Sequence, residues 1–77
     1  MQTNNANVVV DLKRVISRKH GGELETELGG IRGVSRARVS PRAPRLVLVD
    51  YDPETVNSQK ILGTVVRRGF DARLIGM

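Results

Sequence analysis

Short runs of alternating or continuous apolar residues recur along the chain and predict four β-strands. Residues 8–12 predict the first strand and residues 46–51 the clearest one, because both are rich in Val and Leu. Residues 35–39 alternate small or apolar side chains with arginines, which is typical of a strand with one cationic face. Residues 70–75 predict the last strand. Two prolines, Pro41 and Pro44, favour a turn between the second and third strands.

A helical period connects the first and second predicted strands. Leu24, Leu28 and Ile31 recur at the spacing of one helix face, and glycines 29 and 30 mark the end of that helix. Residues 13–20 are interpreted as a basic connector, and the glycines at 21 and 22 are placed in the first helical turn because glycine disfavours a helix interior.

A second helical period follows the third predicted strand. Ile61 and Val65 define its apolar face, and Asn57 or Ser58 is the expected N-cap. Gly69 is expected to end the helix.

The predicted order is therefore β-α-β-β-α-β. Two crossovers around a hairpin give an α+β, ferredoxin-like sandwich, in which a four-stranded antiparallel sheet carries both helices on one face. The side chains predicted to face the helices are Val8, Val10, Leu12, Ala37, Val39, Val47, Val49, Tyr51, Phe70, Ala72 and Leu74. Those predicted for the uncovered face are Val9, Asp11, Arg36, Arg38, Leu46, Leu48, Asp50, Asp71, Arg73 and Ile75.

Length and composition limit the organisation of the chain. A chain of 77 residues holds one core, which excludes a large enzyme with a separate cofactor domain. Residues 1–7 are expected to be a flexible polar tail and residues 8–77 the folded domain. No apolar run approaches the roughly 18 residues of a membrane span, and the tail lacks the features of a secretion signal. A cytoplasmic location is the default expectation.

The net charge of +5 is unevenly spread. Residues 13–20 carry four basic side chains without an acid, namely Lys13, Arg14, Arg18 and Lys19. Such a cluster attracts an acidic protein, a nucleic acid or an anionic membrane, or is simply a solvated face.

Several motifs at matching spacings resemble the heavy-metal-associated domain family of metallochaperones and N-terminal modules of metal pumps. They are residues 33–39 beginning Gly33-Val34, residues 49–56 containing Tyr51-Asp52-Pro53, and the pair Gly69-Phe70. The resemblance covers residues 8–75. It implies the ferredoxin-like fold, a metal-transport context, and a metal site formed by a Cys-x-x-Cys loop before the first helix.

The chain departs from the family at that loop, because it contains no cysteine. The family spacing places the two ligand positions at Ser17 and His20. Cu(I) prefers thiolates, and Zn(II) takes three or four thiolate or imidazole ligands. Here one hydroxyl and one imidazole replace the two thiolates, and the charges of Arg18 and Lys19 oppose a nearby metal ion. No bound metal or other cofactor is therefore expected. Weak or partner-completed metal binding through His20 is the alternative.

Three functional hypotheses follow. The resemblance implies that the loop docks an acidic partner or a metal-transport protein through Lys13, Arg14, Arg18 and Lys19. The uncovered face is a candidate contact with another protein or with a second copy of the chain. Its candidate contact residues are Arg36, Arg38, Leu46, Leu48 and Arg73. The alternative is that the aliphatic parts of the arginine side chains simply cover the leucines. Non-specific nucleic-acid binding through arginines is a third hypothesis, although no aromatic is predicted on that face for stacking. Catalysis is not expected, because no residues suggest a catalytic group.

Overall fold

A computed structural model of the protein describes residues 5–75. Its elements follow the predicted order and confirm the α+β ferredoxin-like class. They are β1 (Ala6–Leu12), α1 (Arg18–Gly29), β2 (Val34–Val39), β3 (Leu46–Tyr51), α2 (Ser58–Arg67) and β4 (Ala72–Ile75). Within residues 5–75, neither helix has the length and hydrophobicity that crossing a bilayer requires.

The four strands form one antiparallel sheet in the order β2-β3-β1-β4. The register pairs Val9 of β1 with Leu48 of β3 on one side and with Ile75 of β4 on the other. The two most hydrophobic strands therefore occupy the centre, where both of their edges are paired.

The core lies between one face of the sheet and both helices. Its fully or nearly fully buried side chains are Val8, Val10, Leu12, Val47 and Val49 from the sheet and Leu24, Leu28, Ile61 and Val65 from the helices. The remaining side chains predicted to face the helices all pack against this cluster. The period-2 assignment of the inner face is therefore confirmed.

The start of α1 was predicted wrongly. The helix begins at Arg18, so the last three residues of the predicted connector, including His20, are helical. The reason is the hydroxyl of Ser17, which accepts a hydrogen bond from the backbone N–H of His20 at 3.1 Å and caps the helix. Gly21 is buried where a Cβ would lie 3.4 Å from the side chain of Val39, so this glycine serves the close approach of α1 to β2.

The terminal strands also differ from the prediction. β1 begins at Ala6, because Ala6 and Asn7 pair with Tyr51 and Asp50, so the predicted tail is shorter by two residues. Residues 1–4 of that tail lie outside the described residues. β4 begins at Ala72, two residues later than predicted, although Phe70 still packs on the core.

A bulge changes the start of β2. Val34 pairs with Tyr51 and Arg36 with Asp50, so Ser35 is the extra residue on its strand. The hydroxyl of Ser35 donates to the carbonyl of Asp50 at 3.2 Å. The bulge lets Val34 reach the core while Arg36 stays on the outer face.

Candidate functional site

Ser17 and His20, which the resemblance assigns to the metal-ligand positions of the family, lie at the N-terminus of α1. Ser17 is the N-cap and His20 is the third residue of the helix, so the spacing expected of a Cys-x-x-Cys loop is preserved. The Ser17 hydroxyl already accepts the His20 N–H. A hydrogen bond between the two residues therefore holds this turn, and it makes the side-chain oxygen of Ser17 part of the helix cap.

His20 is exposed, and its imidazole lies against the ring of Phe70. The ring centroids are 6.4 Å apart with an interplanar angle of 67°, an edge-on contact. Gly69, in the turn before Phe70, has a φ of +96° and lines the same shallow groove as Ser17 and His20. The imidazole thus rests on an aromatic surface rather than beside a second nitrogen or sulfur donor.

The predicted docking residues Lys13, Arg14, Arg18 and Lys19 are all exposed around this helix end. None of them forms an ion pair with another residue of the 5–75 range. Val15 is 64% exposed in the middle of the cluster, and Ile16 packs against the core. We call Lys13, Arg14, Val15, Arg18 and Lys19 the basic loop face; Arg14 and Val15 line one groove, and Lys19 lines another.

The acids of α1 have basic or backbone partners outside the basic loop face. Glu23 and Glu27 each lie 3.9 Å from the guanidinium of Arg68, beyond the end of α2. Glu25 accepts the backbone N–H of Val39 at 2.7 Å and so occupies a hydrogen-bonding position at the outer strand β2. Glu23 and Glu27 also line a groove with Lys19, and Asp71 lines one with Arg14, so acidic side chains border the basic loop face.

These residues do not fit a soft metal ion. Cu(I) and Zn(II) sites in proteins rely on thiolate or imidazole donors, and thiolates also offset the charge of the ion. Ser17 offers a weak oxygen donor that is already hydrogen-bonded, and His20 is a single imidazole among cations. No cluster of three His, Cys, Asp or Glu side chains suited to a metal occurs in the described part of the chain.

The side of the sheet opposite the helices, here called the open face, carries the other predicted contact residues. The strand register aligns three rows across it. The middle row is Arg38, Leu48, Val9 and Ile75; one outer row is Arg36, Asp50 and Asn7, and the other is Leu46, Asp11 and Arg73. The structure thus places Arg36, Arg38, Leu46, Leu48 and Arg73 on one surface.

The burial of Asp11 on the open face was not predicted from the sequence. Asp11 was placed on the uncovered side, yet the residue is only 6% exposed. The Nε of Arg73 donates to its Oδ2 at 3.3 Å, and the Nε of Arg45 lies 3.4 Å from its Oδ1. Two arginine side chains therefore cover the carboxylate. The contact between Asp11 and Arg73 could have been anticipated, because strand alternation placed both on one face. The contact with Arg45 could not, because Arg45 lies in the turn before β3.

The aromatic side chains do not reach the open face. Tyr51 and Phe70 both pack against the core cluster on the helix side. Among residues 5–75, the open face therefore has no aromatic platform of the kind on which sheet proteins stack RNA bases.

Comparisons with known proteins agree with this geometry at the level of the fold. No protein-family model and no curated protein matches the chain. Among solved structures, the N-terminal domain of a potential copper-translocating P-type ATPase from Bacillus subtilis, in the Cu(I)-loaded state, superposes with a TM-score of 0.82 at 24% identity over 94% of this chain and 89% of that one.

Two further neighbours have the same architecture. Oxidised MerP from Ralstonia metallidurans CH34 has a TM-score of 0.82 at 15% identity, covering 94% of this chain and 99% of that one. The CopZ metallochaperone has a TM-score of 0.78 at 20% identity, covering 88% and 100%. These neighbours are heavy-metal-associated domains, so the resemblance inferred from sequence motifs is confirmed as a shared fold.

Proposed function

We propose that this domain is a docking or regulatory module in metal transport or homeostasis, without a strong metal site of its own and without catalytic activity. One observation carries the proposal. At the positions that the resemblance assigns to the metal ligands, the chain has a helix-capping hydroxyl and a lone imidazole, and the segment 13–20 carries four exposed cations. The neighbours with this fold include a metallochaperone and a domain of a potential copper-translocating P-type ATPase.

Electrostatics supports docking rather than ion capture. Lys13, Arg14, Arg18 and Lys19 form no ion pair within the described chain, and exposed Val15 lies between Arg14 and Arg18 along the sequence. A positive surface with an apolar centre suits a negatively charged protein surface, and such complementarity mainly raises the association rate and selects the partner. An acidic domain of a metal-transport protein, in the cytoplasm, is the partner we propose.

An NMR titration of the 15N-labelled protein with an acidic N-terminal domain of a copper-transporting P-type ATPase tests this proposal. We expect amide shifts concentrated in residues 13–20 and affinity that falls as salt is raised. Arg18→Glu/Lys19→Glu should weaken binding roughly tenfold or more, because it reverses two charges at the contact. Acidic residues are tolerated at a helix N-terminus, so this variant should fold.

The control is Arg42→Glu/Arg32→Glu, which makes the same charge change at exposed positions outside the basic loop face. Equal loss of binding in both double variants would show that only net charge matters and would contradict a specific docking surface. The absence of any shift in residues 13–20 would contradict the proposal directly.

A further inference from the structure

The open face combines apolar and charged side chains in a fixed pattern. In its middle row, Leu48 is 37% exposed and Ile75 is 40% exposed, with half-buried Val9 between them. These two are among the four large hydrophobic side chains most exposed in residues 5–75, and the sheet register places them in one row. A shared apolar row is more informative than scattered exposed residues.

The charges around this row leave a positive excess. The face and its rim carry the arginines 36, 38, 45 and 73 against the carboxylates of Asp11 and Asp50. Asp11 is already paired with Arg45 and Arg73, and Asp50 lies opposite Arg36 in the register. Arg38, whose neighbour in the register is Leu48, has no ion pair within the described chain.

Arg45 and Arg73 both pair with Asp11, whereas Arg36 and Arg38, at the β2 end of the apolar row, form no ion pair within residues 5–75. A depression there is lined by Arg36, Arg38, Leu48 and Asp50. A carboxylate placed beside Arg38 would gain a charge-assisted hydrogen bond, while an apolar side chain beside it would cover Leu48. Both contacts are available to one short segment of a partner.

We propose that the open face is a second docking surface, separate from the basic loop face, and that it takes an acidic segment of another protein with apolar side chains at its centre. The guanidiniums of Arg36 and Arg38 receive the acidic groups, and Leu48, Val9 and Ile75 receive the apolar ones. Arg45 and Arg73 pair with Asp11 at the edge of the open face, and Arg38 stays available to a partner.

Two other occupants fit less well. In a face-to-face dimer of two copies, the positive excess of one open face would meet that of the other, which opposes association. A nucleic acid would place phosphates near Asp11 and Asp50 and would find no aromatic ring for its bases. An acidic, partly apolar protein segment satisfies both the charge and the apolar row.

The test uses a synthetic helical peptide with a leucine stripe bordered by glutamates, titrated into the 15N-labelled protein. We expect amide shifts in β3 and around Val9, and binding weakened roughly tenfold or more by Leu48→Glu or Arg38→Glu, since both remove a central contact. Val66→Glu is the matched control, because Val66 is 50% exposed on α2, on the helix side of the sheet. It should leave the affinity unchanged.

Three further measurements make the test decisive. The same peptide with lysine in place of glutamate should bind at least tenfold more weakly, because its charge is reversed. Shifts confined to residues 13–20, or equal effects of Leu48→Glu and Val66→Glu, would overturn the inference. A single-stranded RNA that binds the open face more tightly than the peptide would also overturn it. Because the basic loop face is tested with its own variants, failure of one docking surface is distinguishable from failure of the other.

Discussion

The double variant Ser17→Cys/His20→Cys will bind one Cu(I) at least roughly a thousandfold more tightly than the unmodified chain, a difference of about 4 kcal/mol. The two positions are already held in the same turn, because the residue 17 side chain reaches the backbone N–H of residue 20. Two thiolates are the ligands that Cu(I) prefers, and their charge offsets that of the ion and of the nearby cations. The helix N-terminus and Arg18 will favour ionisation of both thiols.

Competition with a Cu(I) chelator measures this gain, and circular dichroism checks that the variants remain folded. The single variants Ser17→Cys and His20→Cys are the controls, since each supplies only one thiolate and should recover only part of the affinity. If the folded double variant binds no better than the single ones, positions 17 and 20 do not correspond to the ligand positions of the family.

Gly33→Ala will be among the most destabilising single substitutions. Gly33 has a φ of +100°, and a Cβ there would lie 2.8 Å from the side chain of Val56 and 2.9 Å from that of Thr55. Those residues cannot easily yield, because Asp52 accepts hydrogen bonds from the backbone N–H groups of Thr55 and Val56. Backbone strain and overpacking together should lower the free energy of unfolding by about 2–5 kcal/mol.

That loss is large for a domain of this size, whose total stability is expected to be roughly 4–12 kcal/mol. Gly69→Ala is the matched control: Gly69 has a similar φ of +96°, but nothing lies within 4 Å of the added Cβ. It should cost only the backbone strain, about 1–2 kcal/mol. Urea denaturation of both variants measures the difference; equal losses would mean that the contacts of Gly33 with Thr55 and Val56 are not restrictive.

Much of the fold was predictable because local periodicity and burial agree. The alternation in residues 46–51 assigned Val47 and Val49 to the core and Leu48 to the open face, as the structure confirms. Asn57 or Ser58 was expected to cap α2, and the cap is Asn57, whose side chain accepts the Lys60 N–H at 2.8 Å. In each case a residue type and its position along the chain were sufficient.

The start of α1 was not predictable in the same way. The glycines at 21 and 22 suggested a helix end, whereas the packing of Gly21 against Val39 keeps that position inside the helix. Only the proximity of α1 and β2 explains this glycine. Because the glycines placed the first helical turn at 21 and 22, Ser17 lay too far along the chain to be predicted as the cap.

Two polar contacts depend wholly on tertiary structure. Glu25 of α1 accepts the N–H of Val39 in an outer strand of the sheet, and Asp11 is covered by arginines from two distant segments. Neither partner follows from spacing along the chain. The candidate site was therefore predicted by position and charge, whereas its hydrogen bonding and the enclosure of Asp11 required the structure.

Direct titration of the unmodified protein with Cu(I) and Zn(II), by competition with chelators of known affinity, tests the central claim that this metal-carrier fold has no strong metal site of its own. We expect both ions to bind no more tightly than they bind a generic surface histidine, because Ser17 and His20 provide no thiolate and lie among cations. Nanomolar binding of one ion per chain that is abolished by His20→Ala would contradict the claim.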